Sequence, residues 1–164
     1  MGEDALDGGF ADFAAARIPS LVRFGFALTG SVVEAEDLVQ EALVRLAPRW
    51  QAVSASGAPE AYVRRTMVNL HISWWRSRRR EWLHPEPPDR AVTDLLPNRD
   101  LRDALRVLPP RQRAVLALRY LEDLTETETA AVLGCSVGTV KSQAAKAIAK
   151  LRPTLDKSTL LETP

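Results

Sequence analysis

Residues 125–152 read TETETAAVLGCSVGTVKSQAAKAIAKLR. Thr125 is placed to cap a helix, and Glu128, three residues on, completes a capping-box pattern. In that pattern a hydroxyl and a carboxylate each take up an orphan backbone N–H. Gly134 supplies the left-handed stop at which many helices end. Ser136 can cap a second helix. Val137, Val140, Ala144, Ile148 and Leu151 then recur at spacings of three and four, which is one apolar stripe on a helix. The stripe packs the second helix against the first and leaves Thr139, Lys141, Ser142, Gln143, Lys146 and Lys150 outside. A helix-turn-helix has this layout, and its second helix enters the DNA major groove. Two amphipathic helices meeting at a glycine also occur in ordinary bundles, so the rest of the chain must decide.

Charge segregates along the chain although it nearly cancels overall: 22 basic and 21 acidic residues in 164 give a net +1. Residues 1–43 hold Glu3, Asp4, Asp7, Asp12, Glu34, Glu36, Asp37 and Glu41 against Arg17 and Arg23 alone. Residues 61–80 hold Arg64, Arg65, Arg76, Arg78, Arg79 and Arg80 and no acid. Such separation implies two surfaces with different partners. Cys135 is the single cysteine, which rules out an internal disulfide and suits a reducing compartment. The acidic, Gly-containing start MGEDALDGGF does not resemble a secretory signal, and no apolar run approaches a membrane span. The expectation is a cytoplasmic protein with no membrane association. His71, His84 and Cys135 have no metal-ligand spacing and no glycine-rich phosphate loop is present, so neither a cofactor nor an enzymatic activity is expected.

The pattern is helical throughout. Residues 1–9 read as a flexible tail. Helical spacing runs from Phe10 to about Leu28 and breaks at Gly30. Ser31 with Glu34 makes a second capping-box pattern and opens a helix ending near Ala47 and Pro48. Residues 51–59 read as a loop. A helix follows from Pro59, a residue tolerated in a first turn, to about Trp82. Pro85, Pro87, Pro88 and Pro97 mark residues 84–97 as a linker. A short helix from Asn98 ends before Pro109. Another runs from Pro110 to about Leu121, and Pro153 stops the last one. The reading is an all-α protein of two small helical domains, 10–83 and 98–154, joined by a proline-rich linker, with a C-terminal tail at 155–164.

Two of these helices have faces with functional chemistry. Between Ser31 and Ala47, Ala35, Leu38, Val39, Ala42 and Leu46 form the buried stripe. Asp37, Gln40, Glu41 and Val44 fall opposite, an acidic face suited to a basic protein partner. Between Pro59 and Trp82, Val63, Met67, Leu70 and Trp74 make the core side. Tyr62, Arg65, Asn69, Ile72 and Arg76 share the other side, and Arg78, Arg79 and Arg80 extend its charge. Arginines neutralise phosphates, an amide reads a base edge, and an aromatic ring stacks on an unpaired base.

EDLVQEAL, then AYVRRTMVNLHISWWRSRRR, then LPPRQRAVLALRYLEDLTETETAAVLGCSVGTVKSQ occur in an order that resembles the bacterial RNA polymerase sigma factors, specifically the extracytoplasmic-function (ECF, group IV) subfamily. The resemblance spans roughly residues 10–154. It implies sigma region 2 at 10–83 and region 4, with its helix-turn-helix, at 98–154. It implies that Asp37, Gln40, Glu41 and Val44 dock on the clamp coiled coil of the polymerase largest subunit. Tyr62, Arg65, Asn69, Arg76, Arg78, Arg79 and Arg80 would hold the melted −10 element, where a base is flipped from the stack. Thr139, Lys141, Ser142, Gln143, Ala145 and Lys146 would read the −35 duplex. The implied partners are core RNA polymerase, through the clamp and flap region, and promoter DNA, with an anti-sigma factor as a further candidate. No fused regulatory domain is expected after residue 154. Departures from the family pattern are Tyr62 in place of a frequent Trp, Ser73 in place of a frequent Asp, and Gln143 in place of a frequent Arg. A free-standing LuxR-like helix-turn-helix regulator is the alternative, since TVKSQAAKAIAKL also suits that class.

Overall fold

The computed structural model describes the backbone of residues 3–80 and 99–161 and the side chains of residues 9–78 and 102–153. Every regular element in these residues is helical. The first lobe contains α1 (Glu3–Thr29), α2 (Val32–Leu46), α3 (Trp50–Ala55) and α4 (Pro59–Arg80). The second contains α5 (Arg99–Arg106), α6 (Pro110–Leu116), a π-helical turn (Ala117–Leu121), α7 (Glu126–Leu133) and α8 (Val137–Leu161). The linker at 84–97 lies outside the described residues.

Local signals explain most element ends. Gly30 closes α1 with a φ of 71°, a conformation that suits a residue with no Cβ. The Ser31 hydroxyl accepts from the Glu34 N–H at 3.4 Å, but the expected reciprocal bond is absent. Glu34 instead pairs with Arg78 of α4, and the Ser31 N–H donates to Thr29 Oγ1 at 3.1 Å. A tertiary ion pair has displaced the capping box. The box at Thr125 and Glu128 is complete, with bonds of 3.1 and 2.7 Å. Ser136 accepts from the Thr139 N–H at 3.1 Å and caps α8.

Three stretches differ from the sequence reading. Helix α1 begins at Glu3, inside the stretch read as a tail. Trp50 of α3 lies 5.8 Å from Phe10 and 5.1 Å from Phe13, ring centre to ring centre, which anchors this end of α1. Residues Trp50–Ala55 form α3, and only the turn through Ser56, Gly57 and Ala58 remains of the loop read at 51–59. Helix α8 passes through Pro153 to Leu161. Proline removes one intrahelical bond, and Pro153 stands at an exposed position where the orphaned carbonyl can be hydrated.

The two lobes share a core. Phe24, Leu28, Leu38, Leu46, Val63 and Met67 of the first lobe are in one buried cluster with Ala114, Ala117, Leu118 and Val132 of the second. Gly25 allows the crossing of α1 and α2 to be tight: a Cβ there would lie 3.1 Å from the Ala35 Cα. The second lobe has small cores of its own. Leu108, Leu116, Ala147 and Leu151 form one, and Val115, Ala130 and Val140 another. Ala147 is fully buried and completes the α8 stripe.

Candidate functional site

On α2 the burial pattern follows the stripe. Ala35, Leu38, Val39, Ala42 and Leu46 are buried, together with Leu43. Asp37, Gln40 and Val44 are exposed, Val44 by 61%. Glu41 is half-exposed and pairs with Arg45 one turn on at 3.1 Å. Val33 is 63% exposed and was not singled out in the sequence. Its spacing to Asp37, Gln40 and Val44 is four, three and four, so these residues form one ridge. That spacing was the available signal. An apolar–acidic–amide–apolar ridge can bury its valines against a partner while Asp37 faces a cation.

Helix α4 turns the predicted side outward. Arg65, Asn69 and Arg76 are exposed, whereas Tyr62 and Ile72 are half-buried against the core. Arg78 pairs with Glu34 of α2. The side chains of Arg79 and Arg80 lie outside the described residues. The opposite side holds Val63, Met67, Val68 and Leu70, with Trp74 partly buried. His71 also lies there, only 5% exposed, and neither ring nitrogen has a hydrogen-bond partner. Burial, and then the charges of Arg113 and Arg78, lower its pKa from 6.5 to about 4, so the ring is neutral near pH 7.

In the second lobe, α7 and α8 meet at Gly134, whose φ of 66° is the left-handed turn expected. Thr139, Lys141, Ser142, Ala145 and Lys146 are exposed and Gln143 is half-buried. Lys141 lies 3.7 Å from Glu126 of α7. The outer face of α8 is therefore available to a groove while Val140, Ala147 and Leu151 hold the inner face. Small polar and cationic groups on a protruding helix suit phosphate and base-edge contact. Among the described residues no group of three or more His, Cys, Asp or Glu could hold a metal ion, and no helix is long and apolar enough to cross a membrane.

An exposed acidic ridge, an arginine-bearing helix and a helix-turn-helix together suit a protein that contacts both a basic partner and DNA. Residues 14–81 match the family model described as Sigma-70 region 2, and residues 98–151 match Sigma-70, region 4. An RNA polymerase sigma-E factor of Streptomyces avermitilis is 40% identical over 92% of this chain and 87% of its own length. The ECF RNA polymerase sigma factor EcfG of Rhodopseudomonas palustris is 33% identical over 83% of this chain and 79% of its own length. The sigma factor RpoE of Bartonella quintana, solved in complex with the anti-sigma factor NepR, aligns with a TM-score of 0.72 at 26% identity. That alignment covers 88% of this chain and 97% of the other. The chain belongs to the sigma-70 family of RNA polymerase sigma factors, in its ECF group. Its function is to direct RNA polymerase to promoters. The helix-turn-helix is that of sigma region 4, and nothing supports the LuxR-like alternative.

Proposed function

We propose that the α2 ridge of Asp37, Gln40, Glu41 and Val44, extended by Val33, docks on the clamp coiled coil of core polymerase. The observation carrying this reading is that the outward faces of α2 and α8 are both open, one acidic and one cationic, while their inner faces are buried. Tyr62, Arg65, Asn69 and Arg76, with Arg78, Arg79 and Arg80 beyond them, hold the melted −10 strand. Thr139, Lys141, Ser142, Gln143, Ala145 and Lys146 read the −35 duplex. Binding the opened strand better than the duplex shifts the equilibrium towards melting, so no covalent chemistry and no cofactor are needed. The second lobe meets the polymerase flap region. An anti-sigma factor is a further partner, in keeping with the B. quintana relative solved with NepR. The protein works in the cytoplasm, where polymerase and chromosome are.

Co-purification with core polymerase, followed by run-off transcription, tests the reading. The chain is expected to join core and to start transcripts from a subset of promoters. A chain that fails to join core yet shifts duplex oligonucleotides by itself would be a free-standing regulator instead.

A further inference from the structure

Glycine weakens a helix, because it gives up more backbone freedom on folding than any other residue. A glycine inside α8 therefore calls for a reason. Gly138 stands in the first turn of that helix and is exposed. Two reasons account for the other described glycines. Gly30, Gly57 and Gly134 hold a positive φ, while Gly9 and Gly25 stand close to Trp50 and Ala35. Neither reason operates at Gly138. Its backbone is helical, and a Cβ built there would meet no described atom nearer than the Ser136 Oγ, at an ordinary 3.8 Å.

The direction of the missing side chain matters. At ~100° per residue, Gly138 lies about 180° around α8 from the buried Ala147 and about 40° from the exposed Ser142. A Cβ would therefore project from the middle of the outer face, away from the lobe. What requires a bare backbone here lies outside the chain.

The side chains around Gly138 have short reach. Thr139 and Ser142 each end in a hydroxyl, and the Thr139 Oγ1 lies 2.9 Å from the Ser136 Oγ. Lys141 pairs with Glu126 of α7 at 3.7 Å, and Gln143 is half-buried. Short side chains meet base edges only if the helix backbone comes close. A major groove is about 12 Å wide and a helix with its side chains about 10–12 Å across, so little room is left. A methyl group on the leading turn adds one carbon–carbon bond, about 1.5 Å. A hydroxyl bond of about 2.8 Å is lost when stretched by about 1 Å.

We propose that Gly138 is a specificity-determining residue. Its missing side chain lets α8 sit deep in the major groove of the −35 element, so that Thr139 and Ser142 reach base edges. The proposal rests on the reading of α8 as the −35 helix. Helix stability is given up at this position for close approach to DNA.

Gly138→Ala in the full chain, with Gly138→Val as a larger step, tests this. Alanine at a position with ordinary helical backbone should raise the Tm of the free chain by about 1–4 °C. Holoenzyme assembled with Gly138→Ala should protect the −35 element about tenfold less well, on a promoter that the unaltered holoenzyme transcribes, in line with one lost base contact. Gly138→Val should lose more, and both variants should join core as the unaltered chain does. On a template with a scrambled −35 element, variant and unaltered holoenzymes should perform alike. A stabilised Gly138→Ala chain whose holoenzyme protects the −35 element fully would overturn the proposal. So would a lower Tm, which would show that the fold itself needs the glycine, or an equal loss on the scrambled template. Full protection with both Gly138→Ala and Lys146→Ala would overturn the reading of α8 as the −35 helix as well. A loss with Lys146→Ala and none with Gly138→Ala would overturn only the role of Gly138.

Discussion

The guanidinium of Arg113 reaches from the second lobe to the carbonyl of Leu28 in the first. It also donates to the carbonyls of Arg106 and Leu108 at 3.2 and 3.0 Å, which closes the turn between α5 and α6. One side chain, 8% exposed, thus orders its own lobe and joins it to the other. An arginine suits this position because its fixed fork of donors can serve several carbonyls at once.

Arg113→Ala leaves those carbonyls without this donor. Two of them, on Leu28 and Leu108, are bonded in buried surroundings. Orphaned buried acceptors cost about 1–3 kcal/mol each, so the variant should lose at least about 2 kcal/mol of stability. Urea denaturation followed by circular dichroism measures this. A loss below about 1 kcal/mol would mean that the carbonyls find other partners.

Stability should fall in mild acid because of His71. Its folded pKa is lowered to about 4 from 6.5. Between those values the unfolded chain holds the extra proton, so stability drops as pH falls from about 6.5 to about 4 and levels off below. The full drop is on the order of 3 kcal/mol at ~1.4 kcal/mol per pKa unit. His71→Leu should flatten this part of a stability–pH curve. An unchanged slope in that variant would assign the acid sensitivity to other groups.

Thr125→Ala removes the hydroxyl that accepts from the Glu128 N–H at the start of α7. Loss of such a cap costs about 1 kcal/mol. Thermal melting should show a Tm lower by a few degrees, about 2–4 °C for a chain of this size. The Thr125 backbone N–H, which donates to the Glu128 carboxylate, and then the Thr125 side chain hold that carboxyl below its usual pKa, so acid should loosen this helix end as well.

Gly25→Val should destabilise the first lobe by about 1–3 kcal/mol, the usual range for overpacking. The branched side chain would enter a crossing where a Cβ alone stands 3.1 Å from Ala35. A denaturation midpoint equal to that of the unaltered chain would show that α1 and α2 can move apart freely.

Lys146→Ala should weaken transcription from promoters that depend on the −35 element and leave core binding intact. One base or phosphate contact is worth about 1–3 kcal/mol. Footprinting with the holoenzyme measures it, and full protection of the −35 element by the variant would remove Lys146 from the reading surface. Gln40→Ala with Glu41→Ala should do the reverse, weakening association with core while the melting curve stays unchanged.

What the sequence determined by itself is local. Capping at Thr125 and Ser136, the left-handed turn at Gly134, and the stripes on α2 and α8 depend on residues three or four apart, whose contacts the helix geometry dictates. Those spacings also bring Asp37, Gln40 and Val44 onto one exposed ridge and point Thr139, Lys141 and Lys146 outward. Local pattern was insufficient where distant residues compete. Glu34 left its expected box for Arg78, Trp50 extended α1 by packing on Phe10 and Phe13, and Pro153 did not stop α8. The closure of the lobes was decided by tertiary structure alone. Arg64 with Glu122, and Arg113 with Leu28, join residues far apart in the chain, and no periodicity encodes which arginine meets which carbonyl. Such pairs depend on how two finished helical surfaces fit, and that fit exists only once both lobes have folded.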